Sequence, residues 1–106
     1  MLNRDRTGLH PELTVAAVVE RNGRFMLVEE RVSGHLVLNQ PAGDVEPGES
    51  LADAVVREAL EETAWCFVPE AIIGVYLWGR EGKQNPFLRV AFSGRCTAHD
   101  SQRELD

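Results

Sequence analysis

Short apolar runs separated by polar turns make up most of this chain, which is the pattern of β-strands. Residues 13–20 are β-branched and apolar, and residues 24–30 follow them across Asn22-Gly23. An Asn-Gly pair between two apolar runs is a strong hairpin signal, because both residues tolerate positive φ. Residues 36–39 form another short apolar run. The first third of the chain therefore predicts a hairpin followed by a further strand.

The middle of the chain has the pattern of an amphipathic helix. Residues 43–49 form a loop rich in glycine, proline and acid, and Ser50 follows it as a helix N-cap. Asp53, three residues on, completes a variant of the capping box. The pattern predicts a helix over residues 51–63.

Several carboxylates crowd one side of this helix. At about 100° per residue, Glu61 and Glu62 lie close to Glu58, and the line through Glu58 and Glu62 runs back to Val55 and Leu51. Those two apolar residues should face the core. An acidic helix can also be a solvated surface, but a solvated surface would not continue an apolar line.

The charges on this helix are unevenly paired. Arg57 lies four residues from both Asp53 and Glu61 and can pair with either, whereas Glu58 and Glu62 have no basic residue at helical spacing. Like charges at this spacing repel, so the helix favours a bound cation. Oxygen ligands favour a hard, partly hydrated ion, Mg²⁺ or Mn²⁺, shared with a substrate phosphate.

After the helix the pattern returns to strands. Pro69-Glu70 predicts a break between the first two runs, and residues 79–85 form a polar turn. The three runs are residues 65–68, 71–78 and 86–97. The order of elements indicates a mixed α/β (α+β) domain.

Composition limits the possible functions. The chain has 106 residues, enough for one small domain, and 43% of them are apolar. Its net charge is −6, with the excess acid between residues 44 and 62. This charge argues against charge-driven binding to duplex nucleic acid or an anionic membrane. A nucleotide bound through a metal remains compatible, because the metal reverses the local field.

Several features favour a cytoplasmic protein. Residues 1–11 form a flexible leader without the apolar region of a signal peptide, and no apolar run approaches the length of a membrane span. Cys66 and Cys96 are not in a CxxC pair and are expected to be reduced.

The stretch from Gly43 to Trp65 resembles the Nudix box, the signature of MutT-like hydrolases, which reads G-x5-E-x7-R-E-U-x-E-E-x-G-U with U a bulky apolar residue. Six residues fall on its fixed positions: Gly43, Glu49, Arg57, Glu58, Glu61 and Glu62. Trp65 fills the last apolar position. Ala59 is small for the first apolar position, and Ala64 replaces the closing glycine, which puts the geometry of the helix end in question.

The resemblance implies the Nudix α/β/α sandwich with a mixed sheet over residues 12–106. Family members usually continue for a few dozen residues, adding a strand and a second helix over the other face of the sheet. By this comparison the domain is C-terminally incomplete. The uncovered sheet face is then expected to promote self-association.

The resemblance also implies a metal site and a reaction, the hydrolysis of phosphoanhydride bonds in small molecules. Glu58 and Glu62 would be the main ligands of Mg²⁺ (or Mn²⁺), and Glu61 a further or water-mediated one. The backbone carbonyl of Gly43 would complete the set. The same three glutamates would be the catalytic residues that activate a water.

Supporting roles follow from the same resemblance. Glu49 and Arg57 would hold the loop against the helix. The general base is either a glutamate of the box or a late acid, for which Glu104 and Asp106 are the candidates.

Substrate residues are less sharply indicated. The segments LNQPAGD and NPFLRVAF resemble a bacterial subgroup of small Nudix phosphatases that act on nucleoside tri- and diphosphates and on the pyrophosphate precursor of thiamine. Asn39 and Gln40 are candidates to read a base edge, Trp78 to stack on a base, and Arg89 to bind a phosphate. Each also has a purely structural interpretation, in a strand end, under a turn or on a strand surface.

Two other functions stay open at this point. One is hydrolysis of ADP-ribose or of damaged nucleotides. The other is a Nudix-fold module that binds a nucleotide or a partner without hydrolysis, although such a module would have no need of the complete carboxylate set.

Overall fold

The structure, a computed structural model, describes residues 10–79 and 85–105. Most of the predicted leader, most of the predicted polar turn and Asp106 lie outside the described residues. The elements in chain order are β1 (Glu12–Arg21), β2 (Arg24–Phe25), β3 (Val28–Val32), β4 (His35–Asn39), β5 (Ala42–Asp44), α1 (Leu51–Thr63), β6 (Trp65–Trp78) and β7 (Phe87–His99).

The main sheet is mixed, as the sequence predicts. Its strand order is β2-β1-β7-β6, and β5 also pairs with β1. β1 runs parallel to β7, whereas the β1–β2, β1–β5 and β6–β7 pairs are antiparallel. β3 and β4 form a separate two-stranded sheet. In the described part of the chain, there is no helix with the length and apolar character needed to cross a membrane.

The predicted first hairpin is present. Asn22 and Gly23 have φ values of 55° and 77°, and Arg21 pairs directly with Arg24 across the turn. The single strand predicted over residues 24–30 is wrong, because the chain leaves the main sheet after β2. β3 then starts a second hairpin, closed by Ser33-Gly34 with φ values of 52° and 82°.

The helix has the predicted bounds. The Ser50 hydroxyl oxygen accepts a hydrogen bond from the Asp53 N–H at 3.0 Å. At the other end Ala64 has φ 63° and ψ 13°, and its N–H donates to the Leu60 carbonyl at 2.9 Å. Alanine therefore takes the left-handed conformation usually given to glycine, at a cost of about 1–2 kcal/mol.

The predicted break at Pro69-Glu70 is wrong. β6 is one continuous strand of 14 residues at the edge of the sheet. Register shifts against β7 flank Pro69, which lies opposite Gly94. A proline without an N–H is tolerated at such a place because edge strands and bulges do not need every ladder hydrogen bond.

The core lies between α1 and one face of the sheet. As predicted, Val55 is fully buried in it and Leu51 packs against it. The buried apolar residues of this cluster are Val15, Ala17, Val19, Ala54, Val55, Ala59, Phe67, Val90 and Phe92. The helix that carries the acidic residues is thereby fixed to the sheet.

The largest group of exposed apolar side chains on one strand lies on β6, and a smaller group (Val32, Leu36, Val37 and Leu38) lies on the β3–β4 hairpin. Six large apolar residues in the second half of β6 are between 42% and 65% exposed: Ile72, Ile73, Val75, Tyr76, Leu77 and Trp78. On the sheet face away from α1, in contrast, Ala16 and Ala91 are buried. The expected apolar exposure is present, but it belongs to one edge strand more than to the whole face.

Candidate functional site

A tight turn brings the loop before α1 back toward the helix. The Glu49 N–H donates to the Glu46 carbonyl at 3.0 Å, and Gly48 has φ 82°. Proline followed by a glycine of positive φ is the arrangement of a type II turn. The Glu49 carboxylate also accepts from the Glu46 N–H at 3.0 Å. The turn holds this carboxylate at the start of the helix.

Arg57 joins this loop to the helix. Its Nε donates to Glu49 Oε2 at 2.7 Å and its Nη2 to Glu49 Oε1 at 3.0 Å, a bidentate pair. Nη2 also donates to the Asp44 carbonyl at 2.9 Å. Hydrogen bonding to Arg57 lowers the pKa of Glu49, and the same bond raises the pKa of Arg57. Both groups stay charged at neutral pH.

The remaining guanidinium nitrogen of Arg57 is shared between two carboxylates. Nη1 donates to Glu58 Oε2 and to Glu61 Oε1, each at 3.1 Å. Helical spacing allowed Arg57 to pair with Asp53 or Glu61. In the structure it contacts Glu61, and it also contacts Glu58. The Glu58 side chain is only 13% exposed. A solvated acidic surface is thus excluded for Glu58.

Glu62 points toward β5 instead. Its Oε1 accepts a hydrogen bond from the Ala42 N–H at 2.9 Å. Burial is the main reason that the pKa values of Glu58 and Glu62 are both raised, and nearby carboxylates add to the effect. Two partly desolvated carboxylates thus lie on adjacent turns of α1, where a cation would relieve their unfavourable charge.

Gly43 lies directly against the Glu58 carboxylate. It is the central residue of β5 and pairs with Val15 of β1. A Cβ added at Gly43 would overlap the Glu58 carboxylate group. The missing side chain leaves a cradle in which this carboxylate approaches the β5 backbone.

The residues around this cradle fit a divalent cation. Among the described residues, no three His, Cys, Asp or Glu side chains are gathered as a ready-made metal site. Glu58 and Glu61 are turned toward Arg57, and Glu62 toward the Ala42 N–H. The donor set nevertheless consists of oxygen atoms, and Mg²⁺ typically binds through one or two carboxylates together with water and substrate phosphates.

One cleft borders the cradle, and another adjoins that cleft. The smaller, of about 170 Å³, is lined by Asn39, Gln40, Gly43, Glu62 and Arg89 together with six other residues. The larger, of about 500 Å³, is lined by Gln40, Trp78 and Arg89 together with four other residues. Gln40 and Arg89 border both clefts. The fold therefore brings Asn39, Gln40 and Arg89 beside Glu62 and Gly43, and Trp78 lines the adjoining larger cleft.

Asn39, Trp78 and Arg89 also have partners within the protein. Asn39 Nδ2 donates to Glu30 Oε1 at 2.7 Å. The guanidinium carbon of Arg89 lies 5.8 Å from the Trp78 ring centroid, and its Nε is 3.5 Å from the Thr14 hydroxyl. The Trp78 ring packs against Phe87, with centroids 5.0 Å apart.

Glu30 is a candidate that the sequence did not indicate. It lines the smaller cleft with Glu62, and its charge contributes to raising the pKa of Glu62, after burial. It comes from the β3–β4 hairpin, so no spacing within the helix could reveal it. Of the two late acids, Glu104 lies in the exposed tail, and Asp106 is outside the described residues.

Comparison with known proteins adds independent evidence. The profile of the NUDIX domain matches residues 9–101. This chain belongs to the Nudix family. The match includes the whole Nudix box and nearly all of the sheet that carries it.

Individual Nudix relatives agree with this assignment. The chain is 42% identical over 83 residues to Phosphatase NudJ of Escherichia coli (strain K12), a match that covers 78% of this chain and 54% of that protein. A NUDIX hydrolase from Nitrosomonas europaea superposes with a TM-score of 0.85 at 46% identity, covering 92% of this chain and 66% of that one. The MutT protein from Methanosarcina mazei Go1 has a TM-score of 0.71 at 28% identity, covering 86% and 68%.

These matches confirm the predicted Nudix fold and the similarity to a bacterial Nudix phosphatase. The chain spans about half the length of the curated relatives it matches. The activities of those relatives therefore belong to the whole proteins, of which this chain matches only a part.

Proposed function

We propose that this Nudix domain hydrolyses phosphoanhydride bonds in nucleoside di- and triphosphates or related pyrophosphates, with Mg²⁺ or Mn²⁺ as cofactor. The observation that carries the proposal is the pair of partly buried carboxylates, Glu58 and Glu62, next to the Gly43 cradle. The similarity to Phosphatase NudJ supports a phosphatase over a binding module. A module that only binds would have no need of two carboxylates held in an unfavourable environment.

The proposed roles follow from the contacts. Glu58, Glu62 and the Gly43 carbonyl hold the cation, and Glu61 adds a further or water-mediated contact. A divalent cation at this position supplies charge neutralisation on the phosphates and makes a water easier to deprotonate. Glu49 and Arg57 keep the loop and helix together, since Arg57 of the helix donates two hydrogen bonds to the Glu49 carboxylate of the loop.

We propose that the general base is a glutamate of the Nudix box. The raised pKa values of Glu58 and Glu62 make these carboxylates better proton acceptors than an ordinary glutamate. Glu104, in contrast, is exposed in the tail and is far along the chain from Gly43, Glu58 and Glu62. Arg89 is positioned between the two clefts, where a guanidinium can bind substrate phosphate oxygens.

Phosphate release in the presence of Mg²⁺ tests this function. The protein should release orthophosphate from ADP and from the thiamine-precursor pyrophosphate, and EDTA should abolish the release until Mg²⁺ is added in excess. Activity that survives chelation would overturn the metal mechanism. Cleavage of ADP-ribose to AMP in preference to phosphate release would favour the pyrophosphohydrolase alternative. Binding of these nucleotides without any turnover would favour a non-catalytic module.

We also propose that the domain self-associates through the second half of β6. This edge strand presents six exposed apolar residues and no charged side chain from Ala71 to Trp78. Copies of an acidic protein repel one another, so an uncharged edge is the favourable place to meet. Light scattering should show dimers or larger species in the wild-type protein. Val75→Lys should restore the monomer, and a monodisperse wild-type monomer would contradict the proposal.

Cytoplasmic location is part of the same proposal. Both cysteines are unpaired thiols in the structure, Cys66 at the surface and Cys96 partly covered. Free thiols persist where the environment is reducing. Fractionation of cells that express the protein measures its location directly.

A further inference from the structure

A third cleft lies at the opposite end of β1 from the Gly43 cradle. It has a volume of about 640 Å³, and its wall includes the apolar side chains of Val19, Met26 and Trp65. Arg21 and Arg24 also line it. Ligand sites for small molecules commonly have volumes of about 300–1,000 Å³ and largely apolar walls with a few polar groups. The cleft therefore has the size and the composition of a ligand site.

The two arginines form an unusual pair. Arg21 lies directly opposite Arg24 across the two-residue turn of the β1–β2 hairpin. Like charges at directly opposed positions of an antiparallel pair are unfavourable. In the described part of the chain the ion pairs involve Arg57 and Arg95, and neither Arg21 nor Arg24 takes part in one. A bound anion would satisfy both guanidinium groups.

Trp65 fixes the position of one of these guanidinium groups. The guanidinium carbon of Arg21 lies 5.9 Å from the Trp65 ring centroid, a cation–π arrangement. The Trp65 ring is in turn packed against His99, with centroids 4.9 Å apart. Glu20 also lines the cleft, but it pairs with Phe25, so its side chain leaves the strand on the face opposite to Arg21. Arg21 is thus held beside an apolar wall, and Arg24 lies directly opposite it.

We infer that this cleft binds a small phosphorylated organic molecule, with the phosphate between Arg21 and Arg24 and a planar apolar part against Trp65 and Met26. Guanidinium groups match phosphate oxygens in geometry as well as in charge. A nucleoside monophosphate is a representative of this ligand class.

This cleft is separate from the proposed catalytic site. Val15 pairs with Gly43, and Arg21 lies six residues further along β1, a distance of about 20 Å at the rise of a β-strand. A ligand held by Arg21 and Arg24 therefore does not occupy the Gly43 cradle.

Calorimetric titration in EDTA tests this site without turnover. The full chain is titrated with AMP, with inorganic phosphate and with adenosine. AMP should bind more tightly than either fragment, and Arg24→Gln should weaken AMP binding by about tenfold or more. Arg103→Gln, which removes the same charge from the exposed tail, should bind AMP like the wild type. Glu62→Gln should also bind AMP unchanged, because it alters only the proposed catalytic site.

Trp65 provides a second measurement. In a Trp78→Phe background Trp65 is the only tryptophan, and AMP should change its fluorescence with the affinity found by calorimetry. Equal AMP affinities in Arg24→Gln and wild type would overturn the inference. Loss of binding in Glu62→Gln would also overturn it, since the ligand would then lie at the Nudix box. No detectable binding at millimolar AMP would overturn it as well.

Discussion

Glu58→Gln and Glu62→Gln should each lower Mg²⁺-dependent phosphate release by about 10²-fold or more. Glutamine keeps nearly the same shape but removes the charge and the proton-accepting ability. Both carboxylates are partly buried, so their contribution is not replaced by bulk water. Initial rates at saturating Mg²⁺ measure the effect. Glu29→Gln is the matched control, because it removes an exposed carboxylate of β3 outside both clefts.

The Mg²⁺ affinity of the wild type should depend on pH, and that of Glu62→Gln should depend on it less. Because the pKa values of Glu58 and Glu62 are raised, protons compete with the cation at a higher pH than for ordinary glutamates. Calorimetric titration of the wild type should therefore show weaker Mg²⁺ binding as the pH falls from 7 to 5. Glu62→Gln should bind more weakly at pH 7 and should show less of this pH dependence. Equal affinities in the variant and the wild type would remove Glu62 from the site.

Gly43→Ala gives an independent check on the role of the Glu58 carboxylate. The added Cβ would overlap the carboxylate end of Glu58, which can move, so the fold should survive while Glu58 leaves its place. We expect a loss of activity comparable to that of Glu58→Gln, with only a small change in the free energy of unfolding. Full activity in Gly43→Ala would show that the contact between Gly43 and Glu58 is not needed for catalysis.

Gly94→Ala should cause the largest loss of stability among the substitutions considered, about 3 kcal/mol, near the upper end of the usual cost of overpacking. A Cβ at Gly94 would overlap the Val68 carbonyl oxygen and the Phe67 ring. The first is backbone and the second is buried in the core, so neither can move cheaply. Urea denaturation monitored by circular dichroism measures the free energy of unfolding.

Gly79→Ala is the matched control for this substitution. Apart from its chain neighbours, a Cβ at Gly79 meets no atom of the described residues within 4 Å, and its φ is not in the left-handed region. Its free energy of unfolding should stay close to that of the wild type. A Gly94→Ala protein as stable as Gly79→Ala would show that β6 does not cross β7 as closely as described.

The sequence predicted those elements whose signals are local. The bounds of α1 follow from the Ser50 cap and the apolar period, and the first hairpin follows from Asn22-Gly23. β5 could not be predicted, since three residues form a strand only because β1 is available to pair with them. β6 could not be predicted as continuous, because Pro69 is tolerated through its position opposite Gly94 on an edge strand.

The candidate site also has features that local signals in the sequence predict and features that depend on distant residues. Glu58, Glu61 and Glu62 were singled out by their spacing along one helix, and Gly43 and Glu49 by the resemblance to the Nudix box. The directions of their carboxylates depend on distant partners, the Ala42 N–H for Glu62 and the backbone of Gly43 for Glu58. Glu30 reaches the smaller cleft from a separate hairpin, which only the three-dimensional arrangement reveals.

Ala64 shows how a family signature and a backbone can differ in what they require. The Nudix pattern asks for glycine here, and a literal search with that pattern would reject this chain. The backbone requires only a residue in the left-handed conformation, and Ala64, which is 3% exposed, meets this requirement. A β-branched side chain would be far less compatible with this φ. A search pattern that allows any small residue at this position, and not only glycine, would therefore recover Nudix sequences such as this one.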